Sequence, residues 1–385
     1  LNKKLNSIFD FTKTLPKLKQ VNVWDANPKK IMFKHSITFA LLTLILCSCS
    51  KPSEQGPKLS ADFKPFKYLS EYGFFHGKLS DLNPSNGVLP YDLNTPLFSD
   101  YAEKLRFVWV PEGSAALFVG VGVFEFPLGS VLIKNFYYPL DFRKPEAGRR
   151  ILETRLLVNT DKGWEALPYI WDETESDAVL DVVGGFKQVS WIDNEGESQI
   201  LNYSIPNKNQ CKGCHEWQGK LLPIGPQAKH LNKSFEYEEG EMNQLEKWKL
   251  EGFLASMEQA PELIPALAVW NNSQSGSTEQ RARAYLDINC AHCHNPQGPA
   301  KNSGLSLLAE EENITALGLN KPPIAAGRGS GNLKFSIVPG KSHESILLYR
   351  MESTDPGSMM PELGRKMVHA EGVALIREWI DSMLE

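Results

Sequence analysis

Two five-residue strings constrain this chain more than any other feature: Cys211-Lys212-Gly213-Cys214-His215 and Cys290-Ala291-His292-Cys293-His294. The cysteines fall at 47, 49, 211, 214, 290 and 293, which makes three close pairs with nothing left over. A C-x-x-C-H string sets two thiols about one helical turn apart, with a histidine directly after the second. That is the attachment pattern of a c-type haem. Each thiol bonds one vinyl group on the macrocycle edge, and the adjacent imidazole turns onto the iron as proximal ligand. With six Cys and eight His in 385 residues, chance would place such a string about 0.002 times per chain. Two copies exclude coincidence.

Other uses of C-x-x-C fit less well. A zinc ribbon brings its second pair about 15 to 20 residues after the first, and Cys290 follows Cys214 at several times that distance. A thioredoxin-like redox motif needs one C-x-x-C beside a βαβ pattern, which neither copy has. A disulfide within each pair leaves the histidines without a role. The strings therefore predict two covalently attached haem c groups, one on Cys211, Cys214 and His215, the other on Cys290, Cys293 and His294, with His215 and His294 as iron ligands.

Around the second string, Ser277 and Gln280 form a capping-box pattern opening a helix that leads into Cys290. Leu375, Ile376, Trp379, Ile380 and Met383 recur at helical spacing and predict a closing helix packed on the leading one. Between them a Gly- and Pro-rich region ends in Met359-Met360-Pro361. A thioether is a good sixth ligand to haem iron, and Met360, directly before the proline, is the expected one, with Met359 and Met351 behind it. His292, His343 and His369 read as solvated or locally hydrogen-bonded. At the first haem the sixth position stays open among Met242, His230, Met257 and no protein ligand at all.

The first cysteine pair closes the apolar run Ile37 to Leu46, which follows Lys34 and His35. A basic flank, a short apolar stretch and small residues at its end describe a secretory signal, and a membrane span needs about 20 apolar residues. Cys49, preceded by Ser48, is the expected lipidation site of a lipoprotein signal peptide. Met32 is the expected start, with residues 1–31 as upstream translation. The net charge of the whole chain is −5; without the Lys-rich leader the mature chain carries about −11. That acidity excludes nucleic acid as a partner.

Alternation dominates residues 58–205, as in Leu105-Arg106-Phe107-Val108-Trp109 and from Leu152 to Val158, with a turn at 159–163. The aromatics there, among them Phe124, Phe126, Phe136, Tyr137, Tyr138, Trp164, Trp171 and Trp191, are expected to fill a core. The predicted architecture is an α+β multidomain chain: 1–31 disordered, 32–48 signal peptide, 49–60 tether, and 61–205 an antiparallel β-sandwich-like domain. Two mainly α-helical cytochrome c-type haem domains follow, at 206–270 and 271–385.

The string YDLNTPLFSDYAEKLRFVW from Tyr91, the segment NQCKGCH with IGPQAKHLN after it, and the segments VPG, RMESTDPG, MMPELG and REWI resemble one bacterial family. It is a family of diheme c-type cytochromes, typically encoded beside a parallel β-helix repeat protein and without an established substrate. The resemblance covers nearly everything after Lys58. It implies Cys211, Cys214 and His215 at one haem and Cys290, Cys293, His294 and Met360 at the other. The expected function is single-electron transfer between redox partner proteins in the periplasm or at the cell surface, on a lipid anchor to the outer membrane. The alternatives are a diheme peroxidase or small-molecule dehydrogenase with an open first haem, and an electron-carrying subunit docked by its β-domain onto a β-helix partner.

Overall fold

The alternating stretch folds as a meander. The structure, a computed structural model, describes residues 56–324 and 326–384. Strands β1 (Val88–Tyr91), β2 (Glu103–Trp109), β3 (Val131–Pro139), β4 (Arg149–Thr160), β5 (Gly163–Trp171) and β6 (Ala178–Leu180) lie side by side in chain order. Every neighbouring pair is antiparallel. The tightest connection is the turn at 160–163, where Gly163 takes φ 97°, open to glycine without strain.

Because side chains alternate across a strand, the sheet has two unlike faces. On one, Phe107, Val131, Ile133, Ile151, Tyr169 and Trp171 pack against Leu69, Tyr72 and Phe74 of the segment before β1. On the other, Val108 and Leu132 meet Leu231, Leu245, Trp248 and Phe253 from the region after the sheet. Further along that face, Phe136, Tyr138 and Leu152 pack on Val189, Trp191, Tyr203 and Ile205. Those come from a two-stranded ribbon, β7 (Gly185–Ile192) with β8 (Ser198–Ile205). Each such buried side chain stabilises the fold by about 1.5–3 kcal/mol.

This arrangement corrects the expected fold class. Helix and strand make up 24% and 27% of the structure, with one six-stranded sheet where a sandwich and two mainly helical haem domains were expected. The second face is covered by a ribbon, short helices and loops, so no second sheet is needed. Residues 206–270 hold the helices α1 (Lys208–His215) and α2 (Gln244–Leu250), but also a hairpin of β9 (Ser234–Tyr237) and β10 (Gly240–Asn243). Their core is shared with the sheet, since Trp248 and Leu245 sit beside Val108.

The C-terminal region keeps a helical core. Helix α3 (Thr278–Leu286) runs into a π-helical turn, Asp287–Ala291, followed further on by α4 (Ile346–Glu352) and α5 (Ala370–Asp381). Val373, Ile376, Trp379 and Ile380 on α5 pack against Ala282, Tyr285 and Leu286 on α3, so the closing helix does lie on the leading one. Residues 55–385 form one compact unit. Among the described residues no helix is long and apolar enough to cross a membrane. The signal segment and Cys49 lie outside the described residues.

Candidate functional site

Helix α1 delivers the first motif. Asn207 caps it: its Oδ1 accepts from the Gln210 N–H at 2.8 Å, and Gln210 Oε1 accepts from the Asn207 N–H at 2.9 Å. This reciprocal pair fixes the start of the helix, and one turn later Cys211, Cys214 and His215 all reach the wall of one cavity of about 580 Å³. The opposite wall is the sheet face carrying Arg106, Leu132, Lys134, Arg155 and Leu157, and residues 359–366 close a third side.

His215 is held in one tautomer. Its Nδ1 lies 2.8 Å from the Leu222 carbonyl, an acceptor, so Nδ1 carries the proton and donates. Nε2 is then left unprotonated, the orientation that iron-binding histidines use. Burial pushes its pKa down to about 4, which keeps the ring in the neutral form a metal takes at neutral pH.

The sheet wall presents three basic side chains abreast. Arg106 pairs with Lys134 across β2 and β3, and Lys134 with Arg155 across β3 and β4. Like charges directly opposite one another destabilise a sheet, so this row needs negative charge nearby. Part is supplied: Asp92 Oδ1 is 2.6 Å from Arg106 Nη1, and Glu153 Oε1 is 2.5 Å from Arg155 Nη2. Among the described residues Lys134 has no ion pair; it lies 4.9 Å over the Phe136 ring. Its pKa is held well below the usual lysine value by burial and by Arg106, Lys104 and Arg155. Arg106 Nη2 is sealed from solvent with no hydrogen-bond partner. Both guanidiniums are thus paired, and the lysine between them is held toward its neutral form.

The second motif stands on the π-helical turn after α3. The helix opens with the expected capping box, Ser277 Oγ accepting from the Gln280 N–H at 3.2 Å and Gln280 Oε1 from the Ser277 N–H at 2.9 Å. His294 Nδ1 is 3.1 Å from Ser303 Oγ. Since that hydroxyl donates to the Ala300 carbonyl at 2.8 Å, it accepts from His294, and Nε2 is again left free. Met360 shares a cavity of about 20 Å³ with Cys290, Tyr285 and Asn289. Its carbonyl accepts from Arg365 Nη2 at 2.8 Å and from Nε at 3.1 Å, which anchors the loop that carries it.

All four thiols are free. Burial pushes Cys290 and Cys293 up to about 12 and raises Cys211 and Cys214 as well. A redox C-x-x-C needs the opposite shift, because the thiolate is the reactive form.

The structure brings the two motifs together. Cys293 Sγ lies 3.7 Å from the Gly213 carbonyl, and a Cβ on Gly213 would stand 3.1 Å from Leu363 Cδ1. It also sorts the other candidates. His230 is fully buried with Nε2 3.0 Å from Asp287 Oδ1, Met257 fills the core beside Trp248, and Met242 sits on strand β10. None of the three lines the large cavity, whereas Met359 and His292 do. His369 is locally hydrogen-bonded, its Nδ1 2.9 Å from the Tyr285 hydroxyl, and His343 is exposed. His292, expected to be solvated or locally hydrogen-bonded, has its Nδ1 enclosed beside the Ile288 carbonyl and lines the cavity of the other motif. The signal for that placement was a histidine inside the motif itself.

Two expectations need correction here. Among the described residues, no group of three or more His, Cys, Asp or Glu side chains is arranged to hold a metal ion. The expected iron-binding cluster is therefore not seen among those residues, and the chain does not carry the cytochrome-type helical haem domains that were expected. No family model, curated protein or solved structure matches this chain.

Proposed function

We propose that the chain carries two covalently bound haem groups and passes single electrons between redox partners outside the cytoplasm. The observation that carries this reading is the convergence of Cys211, Cys214 and His215, with Nε2 of the histidine free, on one cavity faced by three basic side chains. A macrocycle with two propionates matches a cavity of that size, and its carboxylates would meet the basic side chains of that wall. When bound, haem supplies a one-electron iron couple whose potential is set by its axial ligands and by burial.

The residues divide the work. Cys211 and Cys214 would anchor one macrocycle edge while His215 takes the iron, its ring held by the Leu222 carbonyl. Arg106, Lys134 and Arg155 would take the carboxylates. At the other motif Cys290 and Cys293 would anchor and His294 would ligate; the space of about 20 Å³ beside Met360 is too small for a macrocycle, so Met360 as the opposite ligand rests on the sequence pattern alone. The motifs touch at Cys293 and Gly213, which favours direct exchange between the two groups because electron transfer falls steeply with distance. The acidic surface suits a basic or neutral partner, and a lipid on Cys49 would tether the chain at the membrane.

The test is maturation of the full chain in a host that attaches c-type haem, followed by intact mass and haem quantification. The reading expects two haems per chain and reversible one-electron reduction. A matured chain holding no covalent haem would sink it.

A further inference from the structure

We propose that His292 is the second axial ligand of the iron at the Cys211 motif, completing bis-histidine coordination with His215. This rests on the two-haem reading above and adds the ligand that the sequence left open.

The placement comes from the turn. Cys290, Cys293 and His294 serve their own motif, and His292, between them on the C-terminal side of the π-helical turn, lines the cavity of Cys211, Cys214 and His215 instead. His292 and His215 both line the same space of about 580 Å³. His292 Nδ1 is enclosed from solvent beside the Ile288 carbonyl one helical turn back. A ligating histidine typically gives one ring N–H to a carbonyl and the other nitrogen to the metal, so with Nδ1 beside Ile288 it is Nε2 that is left for an iron in that cavity.

Met359 is the competitor on the same wall. Its thioether is content in an apolar core and asks for no partner, and its backbone N–H is already committed to the Asp355 carbonyl at 2.8 Å. His230, Met242 and Met257 are elsewhere. The choice of His292 has a consequence for electron flow. Methionine ligation raises the potential of haem iron, so a bis-histidine iron beside a His/Met iron sets a downhill direction from the Cys211 motif to the Cys290 motif. One pentapeptide would then hold both groups in register.

The experiment uses the matured full chain, read by near-infrared magnetic circular dichroism and electron paramagnetic resonance, with haem content by mass as a control. Wild type should show one bis-histidine and one histidine–methionine low-spin centre. His292→Ala should keep two haems, turn one of them high-spin and open to carbon monoxide, and return to low spin with added imidazole. His292→Met should exchange the bis-histidine signature for a second thioether-to-iron band. Two attached haems with an unchanged spectrum in His292→Ala would overturn the assignment, as would loss of a ligand signal at that haem in Met359→Ala instead. If the variants fail to fold, the wild-type spectrum decides, and absence of a bis-histidine centre overturns the proposal. A chain with no haem on Cys211 and Cys214 would reject the two-haem reading itself, a separate result visible in the mass.

Discussion

The Cys211 motif leans on a sheet, and the Cys290 motif stands among helices and loops. Both begin with the same device, a side chain at the N-cap exchanging hydrogen bonds with a Gln three residues on. Beyond that they diverge. The first faces a rigid antiparallel wall with a row of basic side chains and a cavity of about 580 Å³. Of the second, Cys290 alone borders the space of about 20 Å³ beside Met360, against a helical core. The difference teaches that a short motif fixes how a group is anchored, while the surroundings decide its room, its charge and its other ligand.

The comparison breaks most visibly at the thiols. Replacing Cys211 and Cys214 together by Ser should remove one of the two covalent haems, and replacing Cys290 and Cys293 should remove the other, each read by intact mass. If either double variant loses both, the sites are not separable units.

The next largest effect lies at the joint between the regions. Asp287, on the turn before the second motif, holds Lys229 Nζ at 2.7 Å and stands 3.0 Å from His230 Nε2, both from the region of the first motif. Burial raises the Asp287 pKa, but His230 and Lys229 outweigh it and bring the carboxyl down to about 2. Its unfolded pKa is about 3.9, so the stability it contributes is fully present above pH ~4 and is lost as pH falls toward about 2. Asp287→Asn leaves Lys229 with only the half-exposed Glu310, 2.9 Å away, and should cost about 3 kcal/mol at neutral pH. The variant should also lose less further stability than wild type between pH ~4 and ~2, measured by denaturant unfolding across that range. Equal acid sensitivity would show that the joint is not electrostatic.

Trp379→Ala sharpens the contrast from the helical side. Trp379 is 2% exposed between α3 and α5, and its truncation should cost about 3–5 kcal/mol through lost burial and a cavity. Because that core belongs to the second motif, amide exchange should speed up across α3 and α5 before it does in β3 and β4.

What was legible in the sequence follows the same line. The capping box at Ser277, the α3–α5 packing and the strands through Leu105 and Leu152 are local patterns, and the structure carries them. Of the aromatics expected in the core, Phe136, Tyr138, Trp171 and Trp191 are indeed buried. What failed was non-local. Alternation says that a strand has a buried face, but not what covers the other one, so a sandwich was expected where a ribbon and loops do the covering. The row Arg106, Lys134 and Arg155 exists only once three strands are in register, so no window of sequence displays it. Met242 resembled Met360 in preceding a helix, yet it lies on a hairpin strand.

The smallest and cleanest comparison is between the two caps. Asn207→Ala and Ser277→Ala each remove one side-chain acceptor from a helix N-terminus, at a typical cost of about 1 kcal/mol. The helices differ in what else holds them. Among the residues of α1 only Cys211 is buried, whereas α3 buries Ala282, Ala284, Tyr285 and Leu286. A helix with so little tertiary packing depends more on its cap, so Asn207→Ala should fray α1 locally and raise amide exchange there with little change in global stability. Ser277→Ala should instead lower global stability by about 1 kcal/mol, since α3 unfolds with its core. Should both variants lower global stability equally, α1 would be as firmly fixed as α3, and the contrast between a lightly held first motif and a packed second one would fall.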